Sequence, residues 1–181
     1  MGRTFDAIPD HLTSWMEEQP LFFVASAPLS AEGHVNVSPK GGDSFRVIDA
    51  NTVAYLDLTG SGAETIAHTR ENGRLTIMFA SFGAKPNIVR LFGRGEAVLP
   101  DHPDFPALYA RFPDHPGTRS IIRLRSTEIT TTCGYAVPMM ELVGHRPTLD
   151  DWVDRKTSDE LDAYRVQKNS FSLDGLPALA D

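Results

Sequence analysis

The sequence predicts one mainly β domain with helices at its periphery, and three observations lead to this prediction. Between residues 21 and 130, short runs rich in Val, Ile, Phe and Thr are separated by Gly, Pro, Asn and Asp, a pattern typical of strands joined by turns. The length of 181 residues is near the common size of one domain. The 41% hydrophobic and 23% charged residues are ordinary for a globular protein. Several short strands at close spacing favour a sandwich or a barrel.

The first element is a helix predicted over residues 9–19, because Pro9 suits a first turn and Leu12, Trp15 and Met16 repeat at i, i+3 and i+4. The strands come next. They are predicted over residues 21–27, 34–38, 45–48, 52–58, 75–82, 88–99 and 121–130.

Two helices interrupt the strands. Ser61 and Glu64 have the spacing of a capping box and predict the start of the first, and Asn72-Gly73 predicts its end. The second is predicted near residues 103–112, where apolar residues share one face between two prolines.

The pattern becomes helical after residue 144. One helix is predicted to begin at Thr148, and a second, capped by Thr157 with Glu160, to run to about Lys168. We therefore expect a single domain over residues 1–181. It comprises an N-terminal helix within 1–20, a β core over 21–145 and a helical C-terminal tail over 146–181.

Composition excludes several classes of function. The net charge is −7 without a block of Lys and Arg, so nucleic acid is not expected as a partner. No run approaches the ~20 apolar residues of a membrane span, so no membrane is expected. One cysteine, Cys133, and an N-terminus without an apolar leader segment predict a soluble protein of the cytoplasm.

Metal, serine-hydrolase and dinucleotide sites are not supported either. The six histidines show no metal-ligand spacing, and no G-x-S-x-G motif occurs. The turn Gly60-Ser61-Gly62 precedes a helix, as in a dinucleotide fold, but the next strand lacks the acidic residue expected ~20 residues on. A catalytic residue is not identifiable.

Three segments remain as candidates for ligand binding. The turn at Gly60–Thr65 would present backbone N–H groups to an anion, or is only a capped helix start. Lys40 follows Pro39 where a strand leaves the sheet, at a rim suited to a small ligand, or lies in a polar hairpin. Arg90 interrupts an apolar run, and the two glycines that follow it suggest tight barrel curvature or a close approach of the backbone. The alternative is that Arg90 only lies on an exposed face.

In order and spacing, these segments resemble the pyridoxamine 5′-phosphate oxidase-like family. The similarity is carried by Phe22–Ala27, Asn36–Gly41, Val53–Asp57 with the following turn and helix, and Arg90–Ala97, and it covers about residues 20–100. It implies a six-stranded split barrel that forms a homodimer, with FMN bound between the subunits and a small-molecule substrate.

The resemblance also implies which side chains bind the cofactor. Lys40 would lie near the pyrimidine end of the flavin ring, Ser38 would bond the ring or ribityl chain, and Arg90 would approach the ring or phosphate. Ser61 and Thr65 would hold the phosphate. Asp57 completes the set, as the last residue of the matching strand.

The chain departs from the family where phosphate is usually bound. Cations usually lie at two places in the family, which correspond here to Val35 and to residues 62–65. Neither place has a cationic residue. Phosphate would then depend on backbone N–H groups, Ser61, Thr65, Lys40 or the partner subunit.

The resemblance implies a flavin-dependent oxidoreductase that transfers hydride between bound flavin and substrate. Deazaflavin is a less favoured cofactor. The alternatives are a binding protein for flavin, deazaflavin or haem without turnover, and a dimeric structural module whose groove is empty.

Overall fold

The computed structural model describes residues 2–180 and contains eight strands and five helices. The strands are β1 Arg3–Phe5, β2 Leu21–Ser26, β3 Asn36–Gly41, β4 Phe45–Val47, β5 Thr52–Leu58, β6 Arg74–Ala80, β7 Ile88–Val98 and β8 Thr118–Thr132. The helices are α1 Asp10–Glu17, α2 Glu64–Glu71, α3 Phe105–Tyr109, α4 Thr148–Val153 and α5 Ser158–Asn169.

All strand pairs are antiparallel, in the order β3-β2-β6-β7-β8-β5-β4, and β1 pairs with the far end of β8. The sheet curls into a half-barrel whose inner face carries aromatic residues. Phe22 of β2 contacts Phe45 and Tyr55, although β2 lies far from their strands in this order. Alternate residues of β2 are buried, as expected for a strand with one face on a core.

The predicted fold class, a mainly β split barrel with peripheral helices, is confirmed. The resemblance implies six strands and the sequence pattern predicts seven, whereas the described residues form eight. Two three-residue strands, β1 and β4, lie beside the six longer ones, and β4 corresponds to the run predicted over residues 45–48. The segment Arg3–Phe5 was not predicted, since three residues carry too little pattern to indicate a strand.

The helix boundaries differ in how well they were predicted. Gly73 has φ +70°, so the predicted end of α2 is confirmed. Its predicted start is wrong: α2 begins at Glu64 after Ala63, and Ser61 makes no capping bond to it. The capping box of Thr157 and Glu160 in α5 is confirmed.

Three features at the ends of the sheet position the candidate site: the exit of β3, the end of β5 and the start of α2. The tail that follows α5 packs against α2. There Arg70 donates to the carbonyl of Ala180 at 2.8 Å and also to that of Ala178, which is fully buried.

Candidate functional site

Lys40 and Asp57 meet where the two ends of the curled sheet come together. Lys40 is on β3 and Asp57 is on β5, near opposite ends of the strand order, yet Lys40 Nζ lies 3.4 Å from Asp57 Oδ1. Lys40 Nζ also lies 5.8 Å from the centre of the Tyr55 ring. The curl of the sheet therefore creates a polar rim from residues that no hydrogen-bonded strand pair connects.

Arg119 and Ser120 complete the contacts of Asp57. Arg119 donates to both oxygens of Asp57, from Nε to Oδ2 at 2.7 Å and from Nη2 to Oδ1 at 3.3 Å. Ser120 Oγ donates to Oδ2 at 3.0 Å. The pairing of β5 with β8 shifts between Asp57 and Leu58, so Arg119 is the extra residue of a β-bulge. The bulge re-aims its side chain toward the carboxylate that its neighbour Ser120 also contacts.

These contacts keep Asp57 ionised although its side chain is only 1% exposed. Burial by itself raises the pKa of a carboxyl group. The positive charges of Arg119 and Lys40, with the hydrogen bonds from Arg119 and Ser120, outweigh burial and lower the pKa of Asp57 below its ordinary value.

A small cavity of about 190 Å³ opens beside this cluster. Ten residues line it: Ser38, Pro39, Lys40, Asp57, Leu58, Gly60, Gly62, Glu64, Thr65 and Arg119. Its ionisable residues are two cations and two carboxylates, so its formal charge is zero.

A chain of hydrogen bonds sets the direction of the two hydroxyls in this cavity. Asn36 Nδ2 donates to Thr65 Oγ1 at 3.1 Å and to Ser26 Oγ at 3.2 Å, and Ser38 Oγ donates to Asn36 Oδ1 at 3.1 Å. Ser26 in turn contacts Nδ1 of His68 at 2.9 Å. Thr65 therefore keeps its own proton for another acceptor, while Ser38 offers lone pairs.

The turn before α2 is held from the C-terminal tail. Asn169 Nδ2 donates to the Gly60 carbonyl at 2.8 Å, and Arg119 Nη1 donates to the same oxygen at 3.3 Å. Leu173 N–H donates to Glu64 Oε1 at 3.4 Å. The bulged strand β8 and the C-terminal tail therefore both form hydrogen bonds to the turn at which α2 begins.

A larger cavity of about 830 Å³ adjoins the rim, and Lys40 and Pro39 line both cavities. Its walls are mainly apolar, with Leu56, Phe82 and Met140 among them. The segment 140–150 forms one side, bringing His145 and Arg146 to it. The volume and lining are typical of a site for a small organic ligand.

The structure brings four of the six predicted residues together in the small cavity, namely Ser38, Lys40, Asp57 and Thr65. Ser61 is exposed on the turn and lies outside its lining. Arg90 lies outside both cavities, with Nη1 donating to Thr132 Oγ1 at 3.1 Å.

Sequence analysis missed Arg119, Asn36 and Glu64 as residues of this site. Arg119 lies before the predicted start of its strand and reaches Asp57 only through the bulge. Within residues 2–180, no cluster of three or more His, Cys, Asp and Glu could hold a metal ion. The same part of the chain has no helix both long and apolar enough to cross a membrane.

Comparisons with known proteins agree with this architecture. The family model described as pyridoxamine 5′-phosphate oxidase matches residues 8–133. The pyridoxamine 5′-phosphate oxidase family protein ustO of Aspergillus flavus is 41% identical, over 97% of this chain and 77% of that protein.

Two crystal structures share the fold at low sequence identity. HupZ of Group A Streptococcus is 22% identical with a TM-score of 0.54, covering 67% of this chain and 91% of that one. An FAD-binding protein of Mesorhizobium loti is 15% identical with a TM-score of 0.50, and the match covers 72% of this chain and 96% of that one.

Proposed function

Because the chain belongs to the pyridoxamine 5′-phosphate oxidase family, we propose that it is a flavin-dependent oxidoreductase acting on a small organic substrate. One observation carries the proposal: Lys40 lies between a small polar cavity and a large apolar one. A flavin has the same two parts, a polar chain and a flat ring. When bound, it supplies the hydride chemistry, while the protein orients it and shapes its electrostatics.

The ring end of a flavin suits the residues of the rim. Lys40 would place a cation beside the pyrimidine edge. Ser38, in the small cavity, would accept a hydrogen bond from the ribityl chain, since its own proton is donated to Asn36. Asp57, with Arg119, would fix the position of Lys40. The apolar walls near Phe82 would exclude water from the substrate.

The phosphate end of FMN suits this protomer less well. Lys40 and Arg119 are both already bonded to Asp57. The fourth charged side chain of the cavity lining is the carboxylate of Glu64. For FMN, which the sequence resemblance implies, the phosphate would have to draw its cations from a partner subunit.

A homodimer is part of the proposal. The edge strand β3 exposes Val37 by 62%, and the residue before it, Val35, by 71%. An exposed edge strand with apolar side chains is usually covered by another chain. We also expect the protein to act in the cytoplasm, because Cys133 is an exposed free thiol.

Two measurements on the purified chain test the proposal. The first is an absorption spectrum, followed by mass spectrometry of the released small molecule, and a flavin is the expected result. A haem spectrum would instead support a haem-binding protein, and failure of a stripped protein to bind any added flavin would refute the proposal. The second is sedimentation, which should show a species near twice the 19.9 kDa chain mass. A strict monomer would contradict a site shared by two subunits.

A further inference from the structure

The turn before α2 carries a carboxylate at the place where the sequence resemblance predicts a phosphate. Glu64 is the first residue of α2, and its carboxylate lies close to Gly62 of the preceding turn. A Cβ atom placed on Gly62 would lie 2.5 Å from Glu64 Oε2, and Oε1 accepts the Leu173 N–H. The positive end of the helix dipole is therefore already matched by a negative side chain.

The charges around the small cavity reinforce this arrangement. Lys40 and Arg119 form ion pairs with Asp57, whereas Glu64 forms none with any cation in the described part of the chain. On the side of α2, Glu64 is therefore the only charged residue of the described lining, whereas Lys40 and Arg119 share one carboxylate and leave one positive charge on the side of β3 and β8. A phosphate monoester carries about −1.5 to −2 charges at neutral pH and would meet a like charge on the side of α2.

The neutral groups of the cavity favour a different ligand end. Thr65 accepts a hydrogen bond from Asn36 and keeps its proton to donate, whereas Ser38 donates to Asn36 and keeps lone pairs to accept. A ligand hydroxyl both donates and accepts, so a chain of hydroxyl groups can satisfy both residues. These contacts require no charge on the ligand.

We propose that Glu64 is a specificity-determining residue that selects a flavin with an uncharged polyol end, such as riboflavin, over one that ends in a phosphate. The inference rests on the proposed function, since it places a flavin in this groove. It goes beyond that proposal by naming the form of the flavin and the side chain that selects it.

The test is a pair of titrations of the ligand-free full-length protein with riboflavin and with FMN, followed by flavin fluorescence. We expect the unaltered protein to bind riboflavin more tightly than FMN. Glu64→Gln should strengthen FMN binding by about tenfold, which corresponds to about 1.4 kcal/mol, and change riboflavin binding by less than about twofold.

Glu71→Gln is the matched control. It removes the same charge from the other end of the same helix, where Glu71 accepts the Leu29 N–H outside the cavity. Both affinities should stay unchanged in this variant. A change in FMN affinity equal to that of Glu64→Gln would show a general effect of net charge and overturn the proposal.

A second measurement needs no substitution. Raising the salt concentration screens charge repulsion, so it should reduce the difference between the riboflavin and FMN affinities of the unaltered protein. FMN binding more tightly than riboflavin, with a ratio that Glu64→Gln does not move, would refute the role of Glu64 but leave flavin binding intact. If neither flavin binds, the proposed function itself fails.

Discussion

Replacing Arg119 by methionine should destabilise the folded protein strongly, and mainly through Asp57. The Arg119 side chain is 5% exposed and Asp57 is 1% exposed. Removing one member of a buried ion pair costs about 3–5 kcal/mol, because the other charge is left buried. Lys40 stays within 3.4 Å of the carboxylate and offsets part of the loss. We therefore expect a fall of about 3 kcal/mol in the free energy of unfolding at pH 7.5.

The pH dependence identifies the group responsible. In the unaltered protein the pKa of Asp57 is lowered in the folded state, so its contribution is complete above the unfolded value of 3.8 and is lost only at lower pH. In Arg119→Met, the positive charge that most strongly lowers the pKa of Asp57 is absent. Burial then raises the pKa of Asp57 above the unfolded value. The variant then recovers stability as the pH falls through the raised pKa, so the difference between the proteins should shrink between pH 7.5 and about 4.5.

Urea unfolding of both proteins at the two pH values measures this difference. Arg123→Met is the matched control on the same strand, because Arg123 pairs with Glu96 and Asp104, whose side chains are 49% and 53% exposed. Exposed pairs contribute about 0–1 kcal/mol. A loss in Arg119→Met no larger than in this control, or one that is the same at both pH values, would refute the assignment.

Three further predictions concern the rim, the sheet and the buried histidine. Lys40→Met should lower the reduction potential of a bound flavin by about 30 mV or more, equivalent to about 1.4 kcal/mol, and a redox titration with an unchanged potential would remove Lys40 from the site. Gly93→Ala should destabilise the protein by at least about 1–3 kcal/mol, since the added Cβ would lie 2.0 Å from the Arg125 carbonyl oxygen. Gly144→Ala is the control, because its Cβ would meet no atom within 4 Å. Thermal melts should therefore show a large loss of stability for the first variant and little for the second. Burial lowers the pKa of His68 below 6.5, so stability should fall as the pH drops below about 6.5, and His68→Gln should lose that slope in chemical unfolding between pH 7.5 and 5.

Local patterns predicted local structure well. The capping box of α5 was predicted because Thr157 and Glu160 bond each other across three residues, without help from the rest of the chain. The same pattern failed at Ser61 and Glu64, where Ala63 rather than Ser61 precedes the first helical residue and Glu64 accepts a bond from Leu173, 109 residues away. A capping box is reliable where distant groups do not compete for its side chains.

The β class, most strand positions and the choice of Lys40, Ser38 and Thr65 as candidate binding residues came from the sequence itself. Side-chain alternation and turn residues can be read from short stretches of the chain. The resemblance to a known family can be read from the order of such stretches. The family membership follows from the same linear order.

Only the tertiary structure decided how the site is charged. Lys40 meets Asp57 because the sheet curls, and Arg119 reaches the same carboxylate because a bulge turns its side chain. Curl and bulge depend on the register of strands that are far apart in the sequence, and a one-residue shift moves a side chain to the other face. The tail then sets Glu64 over the turn, so the balance of charge at the cavity is a property of the folded chain.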